Sequence, residues 1–475
     1  MATIGTAFNI ATGALDADQA ALALVANNTA NVSTPGYTLE TPIWEQSDSA
    51  SLDGISFGMG VSMTGAVSQR DRVLEQAMQQ QTQTESASAA RLAALDQVQT
   101  IFSGATSAGA DTSAASGIGS DLNGFFGALS SLEASPGDES LRQSVLSAAG
   151  TLASDLNGAA AQLTAQRQSL DEQSATVMGQ ANTLLENITQ LNQQIQATGG
   201  HPNPTLEDQR QQDLTSLSQL IGIRTVPTEN NGLTVTTLGG ALLVSEGQAY
   251  SITSGAEAGV THFFDAQGND VTSDLTAGGG RLGGMLTARD QDISAVEESL
   301  DVLTYGVATR MNQLNAQGSD LNGNAGAAIF SLPNGATAAK PAGSAASISV
   351  VMTDPSQIAA AAAGVGASDN TNVVAMANLE SQGIVHGVSA TAYFSDMVTS
   401  LGSLTSEVTS ENTAQQAALT QLNDQIGSVS GVNLNDEAAQ LETLEQSYQA
   451  ASKLFTILDQ VMVSALNLGV QTTYS

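Results

Sequence analysis

Residues 1–38 read MATIGTAFNIATGALDADQAALALVANNTANVSTPGYT. Ile4, Phe8, Ala11, Leu15, Leu22 and Val25 recur at spacings of three, four and seven, which sets them along one face of a helix. Asn27, Asn28 and Asn31 cap helix ends and tolerate left-handed backbone, Pro35 fixes φ, and Gly36 supplies the positive φ of a type II turn. The chain is expected to reverse there. At the other end, Leu441, Tyr448, Phe455 and Met462 form one heptad series and Leu444, Ala451, Leu458 and Ala465 its companion. An isolated terminal helix is marginal in water, so each stripe should be buried against the other terminus or against another copy of the chain. We read Ile4, Phe8, Leu15, Leu22, Leu441, Leu444, Tyr448, Phe455, Leu458 and Met462 as subunit-interface positions, because the termini have little else to pack on.

Composition fits an assembly protein better than an enzyme. The 475 residues contain 4% aromatics, one tryptophan (Trp44) and three histidines, His201, His262 and His386. The net charge of −34 reflects missing bases: Lys and Arg total 12, the first being Arg70. Nucleic acid and anionic membranes are poor partners, since both are bound by neutralising phosphates with Lys and Arg. Zero cysteines removes disulfides, thiolate metal sites and cysteine nucleophiles. A Sec leader needs a basic segment before its apolar core, and the base-free N-terminal region offers none. No apolar run reaches the roughly 18 residues of a spanning helix. The expected route is cytosolic residence or export that reads no cleavable leader.

Along the chain, helical periodicity dominates and β-like segments interrupt it. Ser51 to Val67 reads as a small hairpin, Arg70 to Phe102 as helix, Ser103 to Ser120 as a Gly/Ala/Ser loop, and Leu122 to Leu129 as a short helix. Leu156, Leu163, Leu170, Val177, Leu184 and Leu191 are each seven apart, with Ala181, Ile188 and Ile195 beside them, predicting a rod of roughly 60 Å. Its seam reads as intramolecular. The expected fold is mainly α with β insertions: a terminal coiled-coil region (1–50 and 425–475), a helical-bundle shaft (51–222, 281–324 and 366–424), a β-rich insertion (223–280) and a second β-containing insertion (325–365). With β insertions in mid-chain, the termini should run side by side.

The run Asn27-Asn28-Thr29-Ala30-Asn31-Val32-Ser33-Thr34-Pro35-Gly36-Tyr37 resembles the N-N-x-A-N-x-x-T-P-G-Y signature of bacterial flagellar rod, hook and hook-associated proteins. Its motif positions are Asn27, Asn28, Ala30, Asn31, Thr34, Pro35, Gly36 and Tyr37. Ser430-Gly431-Val432-Asn433-Leu434-Asn435-Asp436-Glu437 is similar to the S-G-V-N-L-D-E-E ending of the same axial proteins. Asp208-Gln209-Arg210, Leu282 to Asp292 and Asn312 to Gly323 look most like the hook-to-filament junction members. The resemblance covers both ends and much of the shaft but not the β insertions. It implies export, unfolded, through the flagellar type III apparatus to the extracellular flagellum. Assembly with copies of itself would follow, between the hook protein on one side and the adjacent hook-associated protein and filament on the other. It also implies an export chaperone that binds the C-terminal helix, with Leu454, Leu458 and Val461 as anchors.

Other motifs are weaker. Asp320, Asn322 and Asn324 open like a calcium loop, but Ala325 and Ser331 stand where glycine and an acid are needed, so a polar turn is expected. The histidines lack a ligand-spaced partner in sequence. Gly278–Gly280, Gly283 and Gly284 precede a helix without the Lys-Ser/Thr of a phosphate loop, and read as hinges. No catalytic residue, cofactor or metal ligand is assigned. The alternatives are another flagellar axial protein (hook, rod or flagellin-like), a long-helix signalling protein, or a hydrolase fused to an axial protein. The last would need paired carboxylates in a cleft.

Overall fold

A computed structural model describes residues 2–52, 55–102, 117–245, 247–257 and 259–471. Helix α1 (Ala2–Ala30) leads into β1 (Glu40–Gln46), β2 (Ala50–Leu52), β3 (Ile55–Phe57) and β4 (Val61–Ser68). β1 pairs antiparallel with β4, and β2 with β3. The helices α2 (Arg72–Phe102), α3 (Ile118–Ala134), α4 (Glu139–Ala197) and α5 (Pro204–Leu220) follow. Four antiparallel strands, β5 (Ile223–Pro227), β6 (Leu233–Thr237), β7 (Leu242–Ser245) and β8 (Gln248–Ala249), form one sheet; β9 (Thr253–Glu257) and β10 (Val260–Phe264) form a separate hairpin. Helices resume with α6 (Thr272–Gly278), α7 (Gly280–Thr287), a π turn (Ala288–Asp292) and α8 (Ile293–Gln317). The next segment holds β11 (Gly318–Ser319), β12 (Phe330–Ser331), α9 (Ser344–Ser347), β13 (Ser349–Val350) and β14 (Ala361–Ala362), then α10 (Thr371–Ala377). Two long helices, α11 (Ala390–Ser430) and α12 (Leu434–Gln471), finish the chain. The fold is mainly helical with small sheets, as the periodicities predict. The greater part of the Ser103 to Ser120 loop lies outside the described residues.

Helix α4 is 59 residues long, about 90 Å at 1.5 Å per residue. Its start is fixed by Asp138, whose carboxylate accepts from the N–H groups of Ser140 (2.8 Å) and Leu141 (3.2 Å). Leu156, Leu163, Leu170 and Val177 are buried in the shaft core, an intramolecular seam. Beyond Val177 the buried positions are Met178, Ala181, Leu185, Ile188, Thr189, Asn192 and Ile195, while Leu184 and Leu191 are only partly buried. A straight helix drifts off a strict seven-residue repeat by about 20° per heptad, so one face of α4 cannot keep every heptad leucine inside.

The β-like region expected from residue 223 closes at Phe264, and Thr272–Gly278 and Gly280–Thr287 are helical. Gly279 makes the bend between α6 and α7 with φ +83°, and other glycines of this region are close-contact points. A Cβ at Gly284 would lie 2.1 Å from the Ala87 carbonyl oxygen, and one at Gly222 would lie 1.8 Å from that of Gly278. Only hydrogen at these positions lets α7 press onto α2 and the strand entry onto α6.

The hairpin β1–β4 starts earlier than its alternation suggested and covers α1: Gly60 sits against Ile10, and Gly13 against the Val61 carbonyl. The apolar interior is divided. One large cluster fills the shaft and the inserted sheets; a second joins Ala21, Val25 and Leu444, with Leu22 and Met63 packed on it.

Candidate assembly site

The two chain ends form an antiparallel helix pair. Ring centroids of Phe8 and Phe455 are 4.4 Å apart, Gln19 Nε2 donates to the Tyr448 hydroxyl (3.2 Å), and Asn28 Nδ2 donates to Glu437 Oε2 (3.1 Å). Each contact steps up α1 while stepping down α12. Leu444 is buried, and Ile4, Phe8, Leu15, Leu22, Tyr448, Phe455 and Leu458 are partly buried, within a single chain. Leu441 and Met462 are exposed. On the uncovered side of α12, Leu454 is 46% exposed, Ile457 56% and Val461 45%. One face of the helix therefore meets α1, and a second apolar face meets solvent.

The motif residues build the corner that closes this pair. Thr34 to Tyr37 is the type II turn: the Tyr37 N–H donates to the Thr34 carbonyl (3.2 Å) and Gly36 has φ +79°. Asn31 Nδ2 ties back to the Asn27 carbonyl (3.0 Å) and side chain (2.9 Å), and Thr34 Oγ1 donates to Asn31 Oδ1 (3.1 Å). Asn28 is the centre. Its Nδ2 donates to both the Glu40 carbonyl (2.9 Å) and Glu437, while its Oδ1 accepts from the Glu40 N–H (3.1 Å) and the Tyr37 hydroxyl (2.7 Å). Only an amide offers donors and acceptor together in this way. Ala30 and Pro35 are exposed and make no side-chain bond of this kind.

The corner is also bound to the shaft. Leu39 N–H donates to the Ser430 carbonyl (2.8 Å), bringing the two terminal signatures together. Asp208 on α5 accepts from the Thr38 N–H (3.1 Å) and Thr38 Oγ1 (2.7 Å), and forms an ion pair with Arg70. Arg70 also reaches Glu75 at 2.9 Å. Four carboxylates, Glu40, Glu75, Asp208 and Glu437, thus converge. Burial and then Glu40, Asp208 and Glu437 hold the Tyr37 hydroxyl well above its ordinary range, so it stays a donor. Burial, with Asp208, raises Glu40; burial also raises Glu75, against the opposing pull of Arg70. Burial pushes the neighbouring Arg210 down to about 10. The roles of Asp208, Arg70 and Glu437 as clamp residues were not derivable from spacing, because their partners are far away in sequence.

Asp320 closes a polar turn, its Oδ1 accepting from the N–H groups of Asn322 and Asn324 (2.8 Å each). His262 does find a carboxylate: its Nδ1 lies 2.8 Å from Asp270 Oδ2, brought there by the loop that follows β10. Among the described residues no group of three or more His, Cys, Asp or Glu side chains is placed to hold a metal, and no helix is long and apolar enough to cross a membrane.

Residues 8–38, helix and corner together, match the family described as flagella basal body rod protein, and residues 95–330 match the flagellar hook-associated protein FlgK helical domain. The flagellar hook-associated protein 1 of Escherichia coli is 23% identical, over 97% of this chain and 99% of its own; that of Bacillus subtilis is 26% identical, over 96% and 97%. The solved structure of the flagellar hook junction protein FlgK from Burkholderia pseudomallei has the same fold, with a TM-score of 0.65 at 17% identity, covering 75% of this chain and all of that one. Paired terminal helices closed by this corner, on a helical shaft, define an axial protein of the bacterial flagellum, structural and not enzymatic, located in the extracellular appendage. Within that class, the chain is similar over nearly its whole length to flagellar hook-associated protein 1.

Proposed function

We propose that this chain joins hook to filament by packing its terminal helix pair against the pairs of neighbouring copies, through the outward stripe of Leu454, Ile457 and Val461. The observation that carries the reading is that α12 is apolar on two faces while α1 covers only one. A stripe of that kind on a chain of net charge −34 is an unpaid hydration cost until a partner covers it. The division into terminal pair, shaft and two insertions belongs to this reading, with the pair lining the assembly axis and the insertions outside. Hook protein on one side, and the adjacent hook-associated protein and filament on the other, are the axial partners.

Delivery by the flagellar type III apparatus belongs with it, as does a chaperone that shields α12 beforehand. Leu454 and Val461 are open to such a partner, whereas Leu458 is partly covered by α1, so binding through all three would require α12 before it has docked on α1. Electron microscopy with an antibody to this chain tests the assignment. Label is expected as one band where hook meets filament. Label spread along the filament or the hook would replace this reading with another axial role.

A further inference from the structure

The contact between terminal pair and shaft is hollow. The two apolar clusters share no residue, so no common core fixes the angle at which the pair leaves the shaft. Two open spaces flank the joint. One is a groove of about 380 Å³ bordered by Gly36, Tyr37, Met78, Gln212, Ile426 and Gly431. The other is a cavity of about 140 Å³ beside Arg70, Arg210 and Glu207. Arg70 borders both, and its ion-pair partner is Asp208. It belongs to α5 in the shaft, yet both its oxygens are spent on the corner: Oδ2 accepts from the Thr38 N–H at 3.1 Å, and Oδ1 accepts from Thr38 Oγ1 at 2.7 Å and pairs with Arg70.

We infer that Asp208 is a positioning residue, a latch that sets the angle between the terminal helix pair and the shaft. Its geometry suits that task. Thr38 follows directly on the turn that ends the α1 corner, and Arg70 opens the return into α2, so a single carboxylate grips two of the three stretches of chain that cross the joint. The third crossing, at Gly431, lies beside the Leu39–Ser430 backbone bond. Charge-assisted bonds of this sort are directional, whereas a joint without a shared apolar core gives little resistance to rotation once they are lost. The latch concerns the free chain and does not depend on where the protein assembles.

The absence of cysteine makes the test clean. Gln449→Cys on α12 and Ser410→Cys on α11, both exposed, carry nitroxide labels whose separation is read by pulsed dipolar spectroscopy. The parent chain should give one narrow distance. Asp208→Ala and Thr38→Val should each broaden it or add a second distance, with the helical content and melting of the shaft unchanged. Asp208→Asn, which keeps an acceptor for Thr38 but not the charge for Arg70, should fall between. If Asp208→Ala fails to fold, Thr38→Val and Arg70→Gln break the same latch from the other side. A parent chain with two distances, or folded variants that all keep the parent's single distance, would overturn the inference.

Discussion

Asn28 and Glu437 lie 409 residues apart and share a buried hydrogen bond of 3.1 Å. Through it the corner that ends the first helix is joined to the first turn of the last one. The amide that makes this bond also satisfies the backbone of Glu40 and the hydroxyl of Tyr37, so one side chain coordinates three segments.

Asn28→Ala should therefore cost more than a surface change. It leaves Glu437 and both Glu40 backbone groups short of partners, a loss of about 1–3 kcal/mol for a buried unsatisfied group. Because the terminal pair has its own small cluster, the effect should be local. Amides of residues 5–30 and 437–460 should exchange faster while those of Leu156–Ile195 stay protected. Uniform acceleration would mean that the ends and the shaft unfold together.

Substitutions on the two faces of α12 should separate in their consequences. Phe455→Asp sets a carboxylate against the Phe8 ring and should loosen the pair inside one chain, by several kcal/mol if the site is dry. Val461→Asp, on the open face, should leave the melting of the free chain within about 0.5 kcal/mol of the parent and yet prevent filaments from attaching to hooks. Calorimetry of the purified variants, together with motility, distinguishes them.

A pH dependence is expected at the α3–α4 contact. Burial, a hydrogen bond with Asp155 and the charge of Asp155 raise Asp121 from 3.8 to about 6. The folded chain then binds more protons than the unfolded one across that window, so this pair's contribution to stability falls as pH rises from 3.8 to about 6. Asp121→Asn should flatten the change and raise stability at pH 7, as followed by chemical denaturation at a series of pH values.

Two glycines that look alike in sequence should respond in opposite directions to alanine. Gly150 lies in α4 with open space around its Cβ position, so Gly150→Ala should stabilise by about 0.5–1 kcal/mol. Gly284 would direct its new carbon to 2.1 Å from the Ala87 backbone oxygen, and Gly284→Ala should destabilise by about 1–3 kcal/mol as α7 is pushed off α2. Thermal melts of the two variants decide this.

Local chemistry was the legible part of the sequence. The reversal at Pro35–Gly36 follows from residues that act on their own backbone, and the positive φ of Gly36 is where it should be. The helical ends and shaft follow from periodicity, but the departure of Leu184 and Leu191 from the buried stripe does not, because drift accumulates along a straight helix and leaves no mark at any one residue. The clamp at Asp208 was illegible for a different reason. An Asp in a polar helix is ordinary, and its importance comes from Thr38 and Arg70, which the fold alone brings near. For the terminal stripes, spacing indicated that they need partners but could not divide α12 into the face used by α1 and the face left open.

That open face is best tested by placing a photoreactive amino acid at Ile457 and irradiating hook–filament preparations from cells that export the labelled chain. Packing between terminal pairs predicts a covalent product containing two copies of this chain, or this chain with an adjacent axial protein, formed in assembled flagella and absent from the free monomer. Efficient activation that yields only uncrosslinked chain in assembled flagella would contradict it, showing that α12 stays open to solvent at the junction.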